Sequence, residues 1–67
     1  MNKFVEVNGR IIRLDEIIYT VKTYESSYKS YGIEIATKNH EIEIDFGLDK
    51  INRDKEFEKL KELLLSL

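Results

Sequence analysis

The sequence predicts an α+β domain, a curved five-stranded antiparallel β-sheet packed against one C-terminal α-helix. Three patterns carry this. Ile42, Ile44 and Phe46 alternate with Glu41, Glu43 and Asp45, the period of a strand with one buried face. Asn8-Gly9 falls between two apolar runs, and both residues tolerate the positive φ of a two-residue hairpin turn. Phe57, Leu60, Leu64 and Leu67 recur at helical spacing, which stacks them on one face.

Taken in order, residues 3–7 form the first strand, with Val5 and Val7 on one face and Phe4 and Glu6 on the other. After the Asn8-Gly9 turn, residues 10–14 return with Ile12 and Leu14 on the face of Val5 and Val7. Asp15-Glu16 breaks the chain. Residues 17–25 are rich in β-branched and aromatic side chains; Ile17, Tyr19, Val21 and Thr23 share the inner face, and Ile18, Thr20, Lys22 and Tyr24 the outer. Glu25-Ser26-Ser27 is a polar loop. Residues 28–37 follow, with Tyr31, Ile33 and Ile35 inward and Gly32, Glu34 and Ala36 outward. Lys38-Asn39 turns into the fifth strand, residues 40–46. The helix covers residues 53–66, capped by Asn52, with Asp54 and Glu56 in its first turn, where the helix dipole favours anions. Register beyond Asp15 is weakly fixed, because Ile11-Ile12 and Ile17-Ile18 each permit a one-residue slip that swaps faces.

With 67 residues and 8.0 kDa the chain is one domain, residues 1–67, without linker, repeat or low-complexity tract. Lacking Cys, it has no disulfide, thiolate metal site or Cys nucleophile. A single His, His40, has no same-face carboxylate on its own strand, so neither metal nor cofactor is expected. The net charge of −2 argues against a general nucleic-acid binder. No run of apolar residues is long enough for a membrane span, and the N-terminal residues lack a signal-peptide pattern, so the cytoplasm is the expected compartment. Ile, Lys, Asn, Tyr and Phe heavily outnumber Ala, Gly, Arg and Pro, a bias that points to a low-GC bacterial or phage genome.

Three groups of residues stand out. Phe4, Ile11, Ile18 and Tyr24 fall on the outer sheet face, with Leu65 off the helix stripe; together they are a candidate protein interface, against which stands burial by a curled sheet or a register shift. Glu34, Glu41, Glu43 and Asp45 form an acidic row, read either as a surface for a basic partner or as a solvated face that blocks edge pairing. Lys22, Tyr24, Tyr28 and Lys29 flank the polar loop and offer aromatic faces and cations to a single-stranded nucleic acid. Ser26 and Ser27 have no general base nearby in sequence, and Gly9, Gly32 and Gly47 are isolated rather than part of a phosphate-binding loop.

The segment Phe4-Val5-Glu6-Val7-Asn8-Gly9-Arg10-Ile11-Ile12-Arg13-Leu14-Asp15-Glu16-Ile17 and the closing Arg53-Asp54-Lys55-Glu56-Phe57-Glu58-Lys59-Leu60 resemble small proteins of low-GC bacteria and their phages. Those in turn resemble a truncated pleckstrin-homology-like roll. The resemblance spans nearly the whole chain and implies a curved antiparallel sheet closed by a helix. The chain departs from a full domain of that kind by two strands and by the basic inositide-binding loop, so no lipid site is carried over. The expected function is a non-enzymatic protein-interaction module that self-associates. Its extension is a phage-type inhibitor that occludes a host protein, including a defence protein. The alternative is a single-stranded nucleic-acid binder that uses the Tyr/Lys edge.

Overall fold

The computed structural model describes residues 3–67. Its chain order is β1 (Phe4–Val7), β2 (Arg10–Arg13), a 3-10 turn (Leu14–Glu16), β3 (Ile17–Glu25), β4 (Ser30–Thr37), β5 (Glu41–Asp45) and α1 (Lys50–Leu65). The α+β class and the C-terminal helix agree with the sequence reading. The five strands, expected in one curved sheet, are instead divided into the hairpin β1–β2 and a three-stranded antiparallel sheet in the order β3-β4-β5. The break falls at Leu14–Glu16. Leu14 N–H bonds Lys3 O at 2.9 Å and closes the hairpin, and the turn that follows redirects the chain before β3 begins.

Asn8 and Gly9 take φ of 50° and 87°, so both turn residues sit in the left-handed region as their chemistry predicts. The hairpin register pairs Val5 with Ile12 and Glu6 with Ile11. Val5, Val7, Ile12 and Leu14 are buried, in one core with Ile33, Ile35, Ile44, Phe46 and Leu60. Ile17, Ile42, Phe57 and Leu64 pack against its margin. Hairpin and helix therefore close one apolar core over a single face of the three-stranded sheet. Two polar contacts tie the layers: Asn8 Nδ2 donates to Asp45 O (3.1 Å), and Lys59 Nζ donates to Glu6 O (3.0 Å).

The largest departure from expectation is in β3. A register irregularity between Ile17 and Tyr19 inserts an extra residue, after which Thr20 pairs with Ile35, Lys22 with Ile33 and Tyr24 with Tyr31. Directly paired residues share a face. Thr20, Lys22 and Tyr24 consequently lie on the helix side, and Tyr19, Val21 and Thr23 on the open side, the reverse of the expected arrangement. Tyr19 and Val21 are exposed, not core.

The helix also begins earlier than expected, at Lys50 rather than residue 53. Asp49, not Asn52, caps it: its side chain accepts from Asn52 N–H at 3.0 Å. Asp54 is thus displaced from the first turn. β4 starts at Ser30 rather than residue 28, because Lys29 adopts φ 52° and ends the turn. Leu67, expected on the buried helical stripe, is exposed beyond the helix end. Among the described residues no helix is long and apolar enough to cross a membrane.

Candidate functional site

The register of the three-stranded sheet builds its open face. Across the strands run the rows Tyr19–Ala36–Glu41, Val21–Glu34–Glu43 and Thr23–Gly32–Asp45, and beyond them Glu25 pairs with Ser30. Glu34, Glu41, Glu43 and Asp45 all fall on this face. Glu34 and Glu43 are directly opposed, an arrangement in which like charges repel.

Side-chain size gives this face its shape. The central strand contributes Ser30, Gly32, Glu34 and Ala36, so Glu34 divides the small side chains into Ser30 and Gly32 at one end of the face and Ala36 at the other. At the Ala36 end Tyr19 crosses the face, its hydroxyl lying 3.2 Å from Glu34 Oε2 and 3.1 Å from Glu41 Oε2. Ala36, although on the open face, is only 5% exposed because that ring covers it. The Tyr19 hydroxyl is held above its ordinary pKa of 10.0, first because Glu41 and Glu34 accept its proton and then by desolvation and their negative charge.

At the other end lies a groove of about 660 Å³. Thr23, Tyr24, Glu25, Tyr28, Ser30, Gly32, Glu43, Ile44, Asp45 and Gly47 line it, and among the described residues no Lys, Arg or His does. Asp45 Oδ1 accepts from the Ser30 hydroxyl and from Gly47 N–H at 2.9 Å. Those two donors, the hydroxyl first, hold the Asp45 carboxyl below the ordinary carboxylate range, so it is charged at neutral pH. Glu25 Oε1 accepts Ser27 N–H at 3.1 Å. The floor is tight: a Cβ at Gly32 would sit 2.8 Å from Thr23 Oγ1 and 2.9 Å from Ile44 O.

The candidate interface residues are exposed but do not form one patch. Phe4 (58% exposed) and Ile11 (74%) are diagonal neighbours on the outer face of the hairpin. Ile18 projects at the β3 irregularity, and Leu65 lies near the end of α1. Tyr24, expected beside Ile18 on the outer face, is on the helix side, its ring 4.8 Å from that of Tyr31.

The Tyr/Lys set is likewise dispersed. Lys22 lies over the Phe57 ring at 5.3 Å and pairs with Asp54 at 3.4 Å. Tyr28 is exposed at the tip of the β3–β4 turn, and Lys29 next to it holds the left-handed conformation. His40 is exposed; its backbone, not its ring, is engaged, with His40 O accepting from the Thr37 hydroxyl at 2.8 Å. Among the described residues no three His, Asp or Glu groups converge to hold a metal ion.

Family models, curated proteins and solved structures yield no match to this chain.

Sequence reasoning missed Arg53. It is 5% exposed, donating from Nη1 to Thr23 O (2.7 Å) and Gly32 O (3.1 Å) and from Nε to Asp54 (2.8 Å). Its guanidinium also lies over the Tyr31 ring at 5.1 Å. This one side chain fastens the helix N-terminus to the strands beneath the groove. Asp54 is pulled below its ordinary pKa chiefly by the Arg53 hydrogen bond, which outweighs desolvation and is reinforced by the charges of Lys22 and Arg53. The groove did have a sequence signal, the small residues Ser30 and Gly32 two apart on one strand face.

Proposed function

We propose that this chain is a non-enzymatic binding module that docks on a protein partner and also associates with itself. One observation carries the reading: Phe4 and Ile11 are diagonal neighbours on the hairpin face turned away from the core, both more than half exposed. Neighbouring uncovered apolar groups on one face favour a contact surface. Occlusion of a larger host protein, the action of a phage-type inhibitor, is the form of binding we attach to a domain of this size.

Against a hydrolytic role, Ser26 and Ser27 lie in an exposed turn where Glu25 accepts a backbone N–H. Single-stranded nucleic-acid binding is the weaker alternative on charge. Lys22 is paired with Asp54, and the groove beside Tyr28 is lined by carboxylates that repel phosphate.

Sedimentation velocity over the micromolar range tests the reading. The wild-type chain is expected to self-associate, and Phe4→Glu/Ile11→Glu to weaken that by about tenfold or more, the scale of one buried contact. A wild type that stays monomeric and matches the variant at every concentration overturns it. A labelled oligonucleotide that binds in a salt-dependent manner, with loss on Lys29→Glu, would favour the alternative instead.

A further inference from the structure

The open sheet face carries a second surface, and we propose that its groove binds an arginine-bearing segment of a protein partner. This deepens the binding-module reading and rests on it. Three features of the groove select the occupant. Its size, about 660 Å³, falls within the range of roughly 300–1,000 Å³ typical of ligand sites. Its charge is of one sign: Glu25, Glu43 and Asp45 are among the lining residues and, among the described residues, no cationic side chain is. Its floor is closed, because Thr23 Oγ1 and Ile44 O crowd in over Gly32, 2.8 and 2.9 Å from where a Cβ would stand.

The electrostatics favour a cation. Glu43 faces Glu34 across the β4–β5 ladder, so the empty face stores like-charge repulsion that a seated cation relieves. Asp45 is fixed in its charged form by the Ser30 hydroxyl and Gly47 N–H, both of which approach the same oxygen, Oδ1. Its other oxygen can take a donor from a ligand. A metal ion does not fit, since no three acidic groups converge among the described residues. A guanidinium does: it is planar, offers forked donors to carboxylates on opposite walls, and stacks on an aromatic ring such as the exposed Tyr28 at the groove's mouth. Glu25, Tyr28 and Ser30 place the groove beside the β3–β4 turn, away from the Tyr19 end of the face.

A short fluorescent peptide alternating arginine and serine tests this, with a counterpart in which citrulline, neutral but of the same shape, replaces each arginine. The wild-type chain should bind the arginine peptide and shift the amide resonances of Thr23, Ser30 and Gly32, and the citrulline peptide should fail to bind. Glu25→Gln/Glu43→Gln, with its fold checked by circular dichroism, should weaken binding by roughly tenfold or more, as expected for two lost charge-assisted contacts. Equal affinity for both peptides, an unchanged affinity in the variant, or shifts confined to the hairpin would overturn the proposal. The same titration on Phe4→Glu/Ile11→Glu separates the two surfaces. Peptide binding retained in that variant supports an independent groove. Absence of peptide binding in a chain that still self-associates rejects the groove alone; absence in a chain that is also monomeric rejects the binding-module reading with it.

Discussion

Replacement of Arg53 by Met keeps the apolar stem and removes the guanidinium, which isolates what that group contributes. Two carbonyls, Thr23 O and Gly32 O, lose a charged donor at 2.7 and 3.1 Å. Hydrogen bonds to charged groups contribute about 1.5–3 kcal/mol each, and stacking over a ring adds about 0.5–1 kcal/mol. The contact with Asp54 adds little, because that carboxylate is partly in water. Allowing for water that reaches the carbonyls in the variant, the net loss should be about 3–4 kcal/mol. A domain of 67 residues has a total stability of roughly 3–10 kcal/mol. The variant should therefore lose a third or more of its stability, seen in urea unfolding followed by circular dichroism as a lowered midpoint with an unchanged slope. Arg53→Lys, which keeps the charge but not the fork, should fall between wild type and Met. A midpoint shift worth less than about 0.5 kcal/mol for Arg53→Met, the size of an ordinary surface substitution, would refute the view that this side chain clamps helix to sheet.

Gly32→Ala places a methyl 2.8 Å from Thr23 Oγ1 and 2.9 Å from Ile44 O; because the second atom is backbone, the strands must part, at a cost of about 1–3 kcal/mol. Thr23→Ala in the same chain should recover only part of that loss, and full recovery in thermal melts would show that the backbone contact is unimportant. Asp45 has a lower pKa folded than its ordinary 3.8, so its interactions stabilise the fold fully above that value and are lost as pH falls through the folded pKa. Asp45→Asn should then give a shallower decline of melting temperature with acid, and identical slopes for the two proteins would count against the Ser30 and Gly47 contacts as its source.

Much of the architecture follows from local chemistry that a sequence displays directly. Asn8-Gly9 specifies its turn because few other residues accept positive φ twice in succession. The alternation through Glu41–Asp45 fixes which side of β5 is wet, and so places three of the four row carboxylates on one face. Glu34 joins them through the β4–β5 pairing, which sets it opposite Glu43. β3 is different. Ile17 and Ile18 are adjacent and equally apolar, so periodicity has two solutions, and the pairing with β4 selects the one with an extra residue at that point. That choice moves Tyr24 and Lys22 to the helix side and frees Tyr19 to span the acidic face. The helix start was ambiguous for a similar reason, since Asp49 and Asn52 are both good caps; the longer helix is the one in which Arg53 reaches two strand carbonyls. The sequence by itself determined the turn, the alternating strands and the helical stripe, because each depends on residues within a few positions of one another. The sheet division, the face of β3 and the groove were decided only in three dimensions, where distant strands compete for the same backbone partners and carboxylates far apart in the chain come to line one groove.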